Sequence, residues 1–174
     1  MRPLSTRLAG VALAFAIASP IATPSSAFAQ AAETAEASPT ADVSAAEREL
    51  FALNVYYEAR SEGRDGMVAV AWVVLNRVDN ADFPDSIEGV INQPTRRSCQ
   101  WGWTCDGRSD TPTEMDLWEL AEEVRDVMLS DARPADPTGG AVFFFETFRE
   151  TPGWLSNSAT RTATIGNHNF YALN

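Results

Sequence analysis

The residue in this chain best placed for acid–base chemistry is Glu58, within Val55-Tyr56-Tyr57-Glu58-Ala59-Arg60. It follows Phe51 by seven positions and Val55 by three, so on a helix its carboxyl shares a face with two apolar side chains. Desolvation on such a face disfavours the charged form and raises the pKa toward the range of a general acid. The same pattern also suits a structural glutamate paired with Arg60 or Arg64, and side-chain physics alone weighs the two readings about evenly.

Acetal cleavage commonly employs two carboxylates, about 5 Å apart or wider according to the stereochemical outcome. Glu62 lies one turn beyond Glu58, but beside Gly63 at a helix end, where a solvated or capping role is the usual one. Asp65, Asp82 and Asp85 sit in similar turn contexts, so no second carboxylate stands out. A lone acid suffices when the substrate carries its own nucleophile. Gln100-Trp101-Gly102-Trp103 and Asn167-His168 add aromatic faces and amides, although two Trp completing a small core, a turn-forming Asn and a strand-starting His explain them equally.

These residues need elements to hold them. Ser44-Ala45-Ala46-Glu47 has capping-box form and opens a helix that runs to about Ala59. After the break at Glu62 to Gly66, the spacing of Met67, Val70, Ala71 and Val74 predicts a buried helix ending near Asn76-Arg77. Ser86 caps a short helix carrying Ile87, Val90 and Ile91. Residues 95–112 show no period and read as an ordered loop, and Leu117, Leu120, Ala121, Val124 and Met128 form a helical stripe behind a box-like Thr113 and Asp116. Short β-like runs follow at Ala141–Phe145, Thr160–Ile165 and His168–Ala172, the last two joined by a Gly166-Asn167 hairpin turn. Helices first and a small antiparallel sheet last make the fold α+β.

Arg2 and Arg7, the apolar run Leu8–Ile17 and Ala27-Phe28-Ala29 read as an export signal over residues 1–29, cleaved after Ala29. The apolar run is too short for a membrane span, so no stable membrane insertion is expected after cleavage. Residues 30–43 are dominated by Ala, Glu, Thr, Ser and Pro and read as a disordered leader; residues 44–174 form one domain. All 13 basic residues are Arg against 24 acids, a net charge of −11, or −13 without the first 29 residues, which hold Arg2, Arg7 and no acid. That excess of negative charge argues against nucleic acid and anionic lipid as partners. Cys99 and Cys105 read as a short-loop disulfide in an oxidising compartment; zinc is the alternative, but one His, His168, leaves a metal site short of ligands.

Tyr57-Glu58-Ala59-Arg60, Gly66 to Ala71, Val74-Leu75-Asn76-Arg77, Phe83-Pro84, Gly89-Val90-Ile91, Cys99 to Gly107 and Thr164 to Tyr171 stand in the order of the blocks of a known family. Residues 49–172 resemble the cell wall hydrolase family of SleB-like spore cortex-lytic enzymes. The resemblance implies a lysozyme-like helical body with a small C-terminal sheet, peptidoglycan glycan strands as substrate, Glu58 as the catalytic acid and no cofactor. In a lytic transglycosylase route, Glu58 protonates the bond after N-acetylmuramic acid and the C6 hydroxyl of that sugar closes a 1,6-anhydro ring. Tyr57, Gln100, Trp101, Trp103, Asn167 and His168 would position the sugars in the periplasm or outside the cell. One departure is Phe145, where the family commonly has a His, with Glu146 beside it as a partial substitute. A hydrolytic muramidase, a non-catalytic peptidoglycan-binding or regulatory protein, and a metal-dependent amidase or peptidase are the rival readings.

Overall fold

The computed structural model describes residues 43–96 and 98–174. The expected export signal, and all of the expected leader except Val43, lie outside these residues. Val43, assigned by composition to the leader, packs against the core instead.

Helix α1 (Ala45–Ala59) starts from the expected capping box: the Ser44 hydroxyl accepts the Glu47 N–H and the Glu47 carboxylate accepts the Ser44 N–H. It buries Phe51, Ala52, Val55, Tyr56 and Ala59. Helix α2 (Gly63–Val78) is buried nearly all round, from Gly66 and Met67 through Leu75 to Arg77, as a helix without a polar face must be. Helix α3 (Ile87–Ile91) is capped by Ser86, whose hydroxyl accepts the Gly89 N–H. Helix α4 (Met115–Met128) lays Ala121, Val124 and Met128 on the same core. Between α3 and α4, the loop turns through a 3-10 segment, Gly102–Cys105, closed by the Cys99–Cys105 disulfide.

Three strands, β1 (Phe143–Glu146), β2 (Ala159–Ile165) and β3 (His168–Leu173), make an antiparallel sheet in the order β1-β3-β2. Gly166, at φ 56°, supplies the left-handed backbone of the β2–β3 turn, and Ile165 pairs with His168 across it. Phe170 of the central strand joins the helical core, so the sheet docks by one face on the helices. The architecture is the α+β one expected, a helical body with a small C-terminal antiparallel sheet. Among the described residues, no helix is long and apolar enough to cross a membrane.

The start of α4 departs from expectation. Thr113 and Asp116 form no capping box; the N-cap is Glu114, whose side chain makes no cap bond. The buried Tyr56 hydroxyl accepts the N–H groups of both Thr113 and Glu114, each at 3.2 Å, so a tertiary contact does the work of a local cap. Replacing Tyr56 by Phe is expected to remove ~1–2 kcal/mol of stability. In urea titrations the midpoint should drop with the slope unchanged, and an unmoved midpoint would show that the hydroxyl caps nothing of value.

Candidate active site

Glu58 stands in the last turn of α1, one residue before its end, and lines a cleft of about 750 Å³. Burial pushes its pKa up to about 7, opposed by the positive charge of Arg77. The helix's own carbonyl end is negative, and no basic side chain in the last turn offsets it. Neither neighbouring arginine is the partner of Glu58: Arg60 pairs with Glu114 at 3.0 Å and Arg64 pairs with Glu123.

Arg77 is the residue that sequence reasoning missed. It lies three positions after Val74 on the buried stripe of α2, and that spacing was the available signal. Its guanidinium is fixed on every side. Nε donates to the Val142 carbonyl at 2.7 Å, and the plane lies over the rings of Trp101 (4.9 Å), Phe83 (5.2 Å) and Phe143 (5.5 Å). With its amide oxygen turned toward those donors, Gln100 accepts from both terminal nitrogens at 3.2 and 3.1 Å. Burial lowers the pKa of Arg77 to about 10, which still leaves it charged at neutral pH.

Of the expected sugar-contacting residues, Tyr57, Gln100, Trp101, Asn167 and His168 line this cleft with Glu58. Trp101 offers sugars little ring surface and is part of the core. Only 2% of it is accessible, and its indole N–H donates to the Val90 carbonyl at 3.1 Å, so it forms the cleft's floor beneath Arg77. Trp103 lines an adjoining cavity of about 350 Å³, which shares Tyr57 and Glu58 with the main cleft. There it stacks on Tyr57 with centroids 5.1 Å apart, its N–H bonded to Asn54 at 3.0 Å. The acid therefore sits where two cavities meet, with an aromatic pair on one side.

On the opposite wall, β3 presents His168, buried, with Nδ1 lacking a protein partner and the ring edge-on to Phe144. Burial lowers its pKa, so the imidazole is largely neutral at pH 7. Phe145, where the resemblance leads to the expectation of a His, lines the cleft and packs against Tyr171; Glu146 faces His168 in register and pairs with Arg149. Glu62 also lines the cleft; it stands at the N-cap of α2, as its place at a helix end suggested, but its carboxylate makes no cap bond and reaches Asn167 instead.

A sequence profile of the Cell Wall Hydrolase family matches residues 61–171. The chain belongs to the cell wall hydrolase family. Among relatives, it is 35% identical over 123 residues to the spore cortex-lytic enzyme of Oceanobacillus iheyensis, covering 70% of this chain and 40% of that one. It is 31% identical over 121 residues to that of Bacillus subtilis, covering 70% and 36%. The chain thus spans about two-fifths of the length of these relatives. The catalytic domain of the germination-specific lytic transglycosylase SleB from Bacillus anthracis superposes with a TM-score of 0.59 at 33% identity, over 75% of this chain and 97% of that one. The catalytic domain of the Bacillus cereus SleB protein gives 0.57 at 33%, over 73% and 90%. The profile match to this cell wall hydrolase begins after Glu58, so the role of that residue rests on the cleft.

A carboxyl raised from 4.5 to about 7 binds more protons folded than unfolded between those values, so it lowers stability as pH rises through that window. Glu58→Gln is expected to match wild type at pH 4 and to exceed it by on the order of 2 kcal/mol at pH 8. Denaturant melts across that range test this; a Gln variant weaker than wild type at pH 8 would instead mean a buried ion pair with Arg77.

Proposed function

We propose that this chain cleaves the glycan strands of peptidoglycan as a lytic transglycosylase, cutting after N-acetylmuramic acid with Glu58 as general acid and then base. The observation that carries the reading is one partly buried carboxyl, with its pKa near neutrality, at the junction of two cavities lined with aromatic and amide side chains. Polar hydroxyls and apolar C–H faces of sugars suit Tyr57, Trp103, Gln100 and Asn167. The similarity to a SleB catalytic domain described as a lytic transglycosylase supports the same chemistry.

In this route, protonated Glu58 gives its proton to the glycosidic oxygen, the C1–O bond breaks, and its electron pair leaves with the departing sugar. The ionised carboxylate then accepts the C6 hydroxyl proton of the muramic residue as O6 bonds to C1. No water enters, and Glu58 ends protonated. Arg77 moderates the acid for both halves: its positive charge holds the carboxyl's pKa below where burial alone would set it. We place the substrate outside the cytoplasm, reached through export by residues 1–29. Hydrolysis is the second reading: Glu62, whose pKa is lowered chiefly by the Asn167 N–H, stands ionised in the same cleft, but hydrogen bonds from Asn167 and Ser61 already engage both its oxygens.

Incubating the purified protein with peptidoglycan sacculi should release 1,6-anhydro-muropeptides, read by mass spectrometry, and Glu58→Gln should reduce release at least about 100-fold. Reducing-end products would favour hydrolysis, and sacculi bound but uncut by both proteins would favour a binding role. Because the acid must start protonated, the wild-type rate should fall as pH rises through about 7. A rate still rising at pH 9 would contradict Glu58 as that acid.

A further inference from the structure

The helical body grips the hairpin tip through one side chain. Glu62, at the α1–α2 junction, accepts the Asn167 backbone N–H on Oε2 at 2.7 Å and the Asn167 side-chain amide on Oε1 at 3.3 Å. The Ser61 hydroxyl donates to Oε1 at 3.2 Å, so both carboxylate oxygens are occupied. The Asn167 carbonyl in turn accepts the Thr147 N–H, just beyond β1, at 2.7 Å. Residue 167 is therefore held from both sides, by the body and by the sheet's edge. A Cβ at Gly166 would run into the Glu62 carboxylate, so the turn is also shaped to admit that side chain.

Glu58, Glu62, Asn167 and His168 all line the main cleft. We propose that Glu62 is a positioning residue: by latching Asn167 it sets the distance across the cleft between the acid on α1 and the sugar-binding edge of the sheet. This rests on the glycan-cleaving reading of the cleft. A carboxylate with both oxygens engaged is poorly free to activate water or attack carbon, which separates the latch from a second catalytic carboxylate. Misplacement of reacting groups by about 1 Å can cost on the order of 100-fold in rate, and a cleft with one wall released is subject to that loss.

The test compares Glu62→Ala, Glu62→Gln and Gly166→Ala in the full chain, each assayed well below its melting temperature. Gln keeps an oxygen for the Asn167 N–H but loses the charge. The expected result is kcat/KM for glycan strands down about 10- to 100-fold in Glu62→Ala and Gly166→Ala, within about fivefold of wild type in Glu62→Gln, and a pH midpoint near 7 in all. Wild-type rates in Glu62→Ala would overturn the latch, as would Glu62→Gln falling as far as Ala, which would mean that the charge itself acts in the chemistry. A parallel readout is sacculus binding in a Glu58→Gln background, where adding Glu62→Ala should weaken affinity about tenfold and adding Glu62→Gln should restore it. If wild type cleaves nothing, the cleavage reading fails on its own, and these affinities still decide the latch: unequal as stated they uphold it, equal or undetectable they end it.

Discussion

A carboxylic acid taken out of water beside a buried guanidinium is the constraint on which this molecule turns. Removal from solvent pushes the Glu58 proton on, while Arg77 pulls it off, and the balance lies near neutrality. Neither half of that balance survives without the fold around it. A bare Arg77 in the core would be too costly, and its three aromatic faces, the Val142 carbonyl and the Gln100 amide supply what water would have.

That requirement organises the elements. Helix α2 is buried almost all round so that Arg77 can approach α1 from inside. The disulfide-closed loop delivers Gln100 to the terminal nitrogens of the guanidinium and the Trp101 ring to its face, and stacks Trp103 on Tyr57. The sheet brings Val142 to Arg77, and His168 and Asn167 to the opposite wall of the cleft. Two carboxylates of one cavity are thereby driven apart in protonation, Glu58 up by burial and Glu62 down by hydrogen bonds.

Local signals were legible in the amino-acid order and distant ones were not. The Ser44–Glu47 box, the Ser86 cap and the Gly166-Asn167 turn are decided within a few residues, so each formed as read. The half-buried setting of Glu58 was legible because helical spacing puts it with Phe51 and Val55, a spacing that left its role open. The start of α4 was misread because its donors go to Tyr56, 57 residues away for Thr113. The Glu62 contact is invisible to local spacing because its partner, Asn167, lies 105 positions on. Trp101 illustrates a different limit: a loop rich in Gly and Trp signals order, but which Trp turns inward depends on where the Arg77 guanidinium sits.

The most direct test is to titrate the Glu58 carboxyl itself, by 13C NMR of side-chain-labelled glutamate, assigned with the Glu58→Gln protein. A midpoint near 7 is expected, outside the ordinary range of exposed glutamates. A midpoint near the ordinary 4.5 would mean that water reaches the carboxyl freely, and the acid at the centre of this cleft would be no acid at neutral pH.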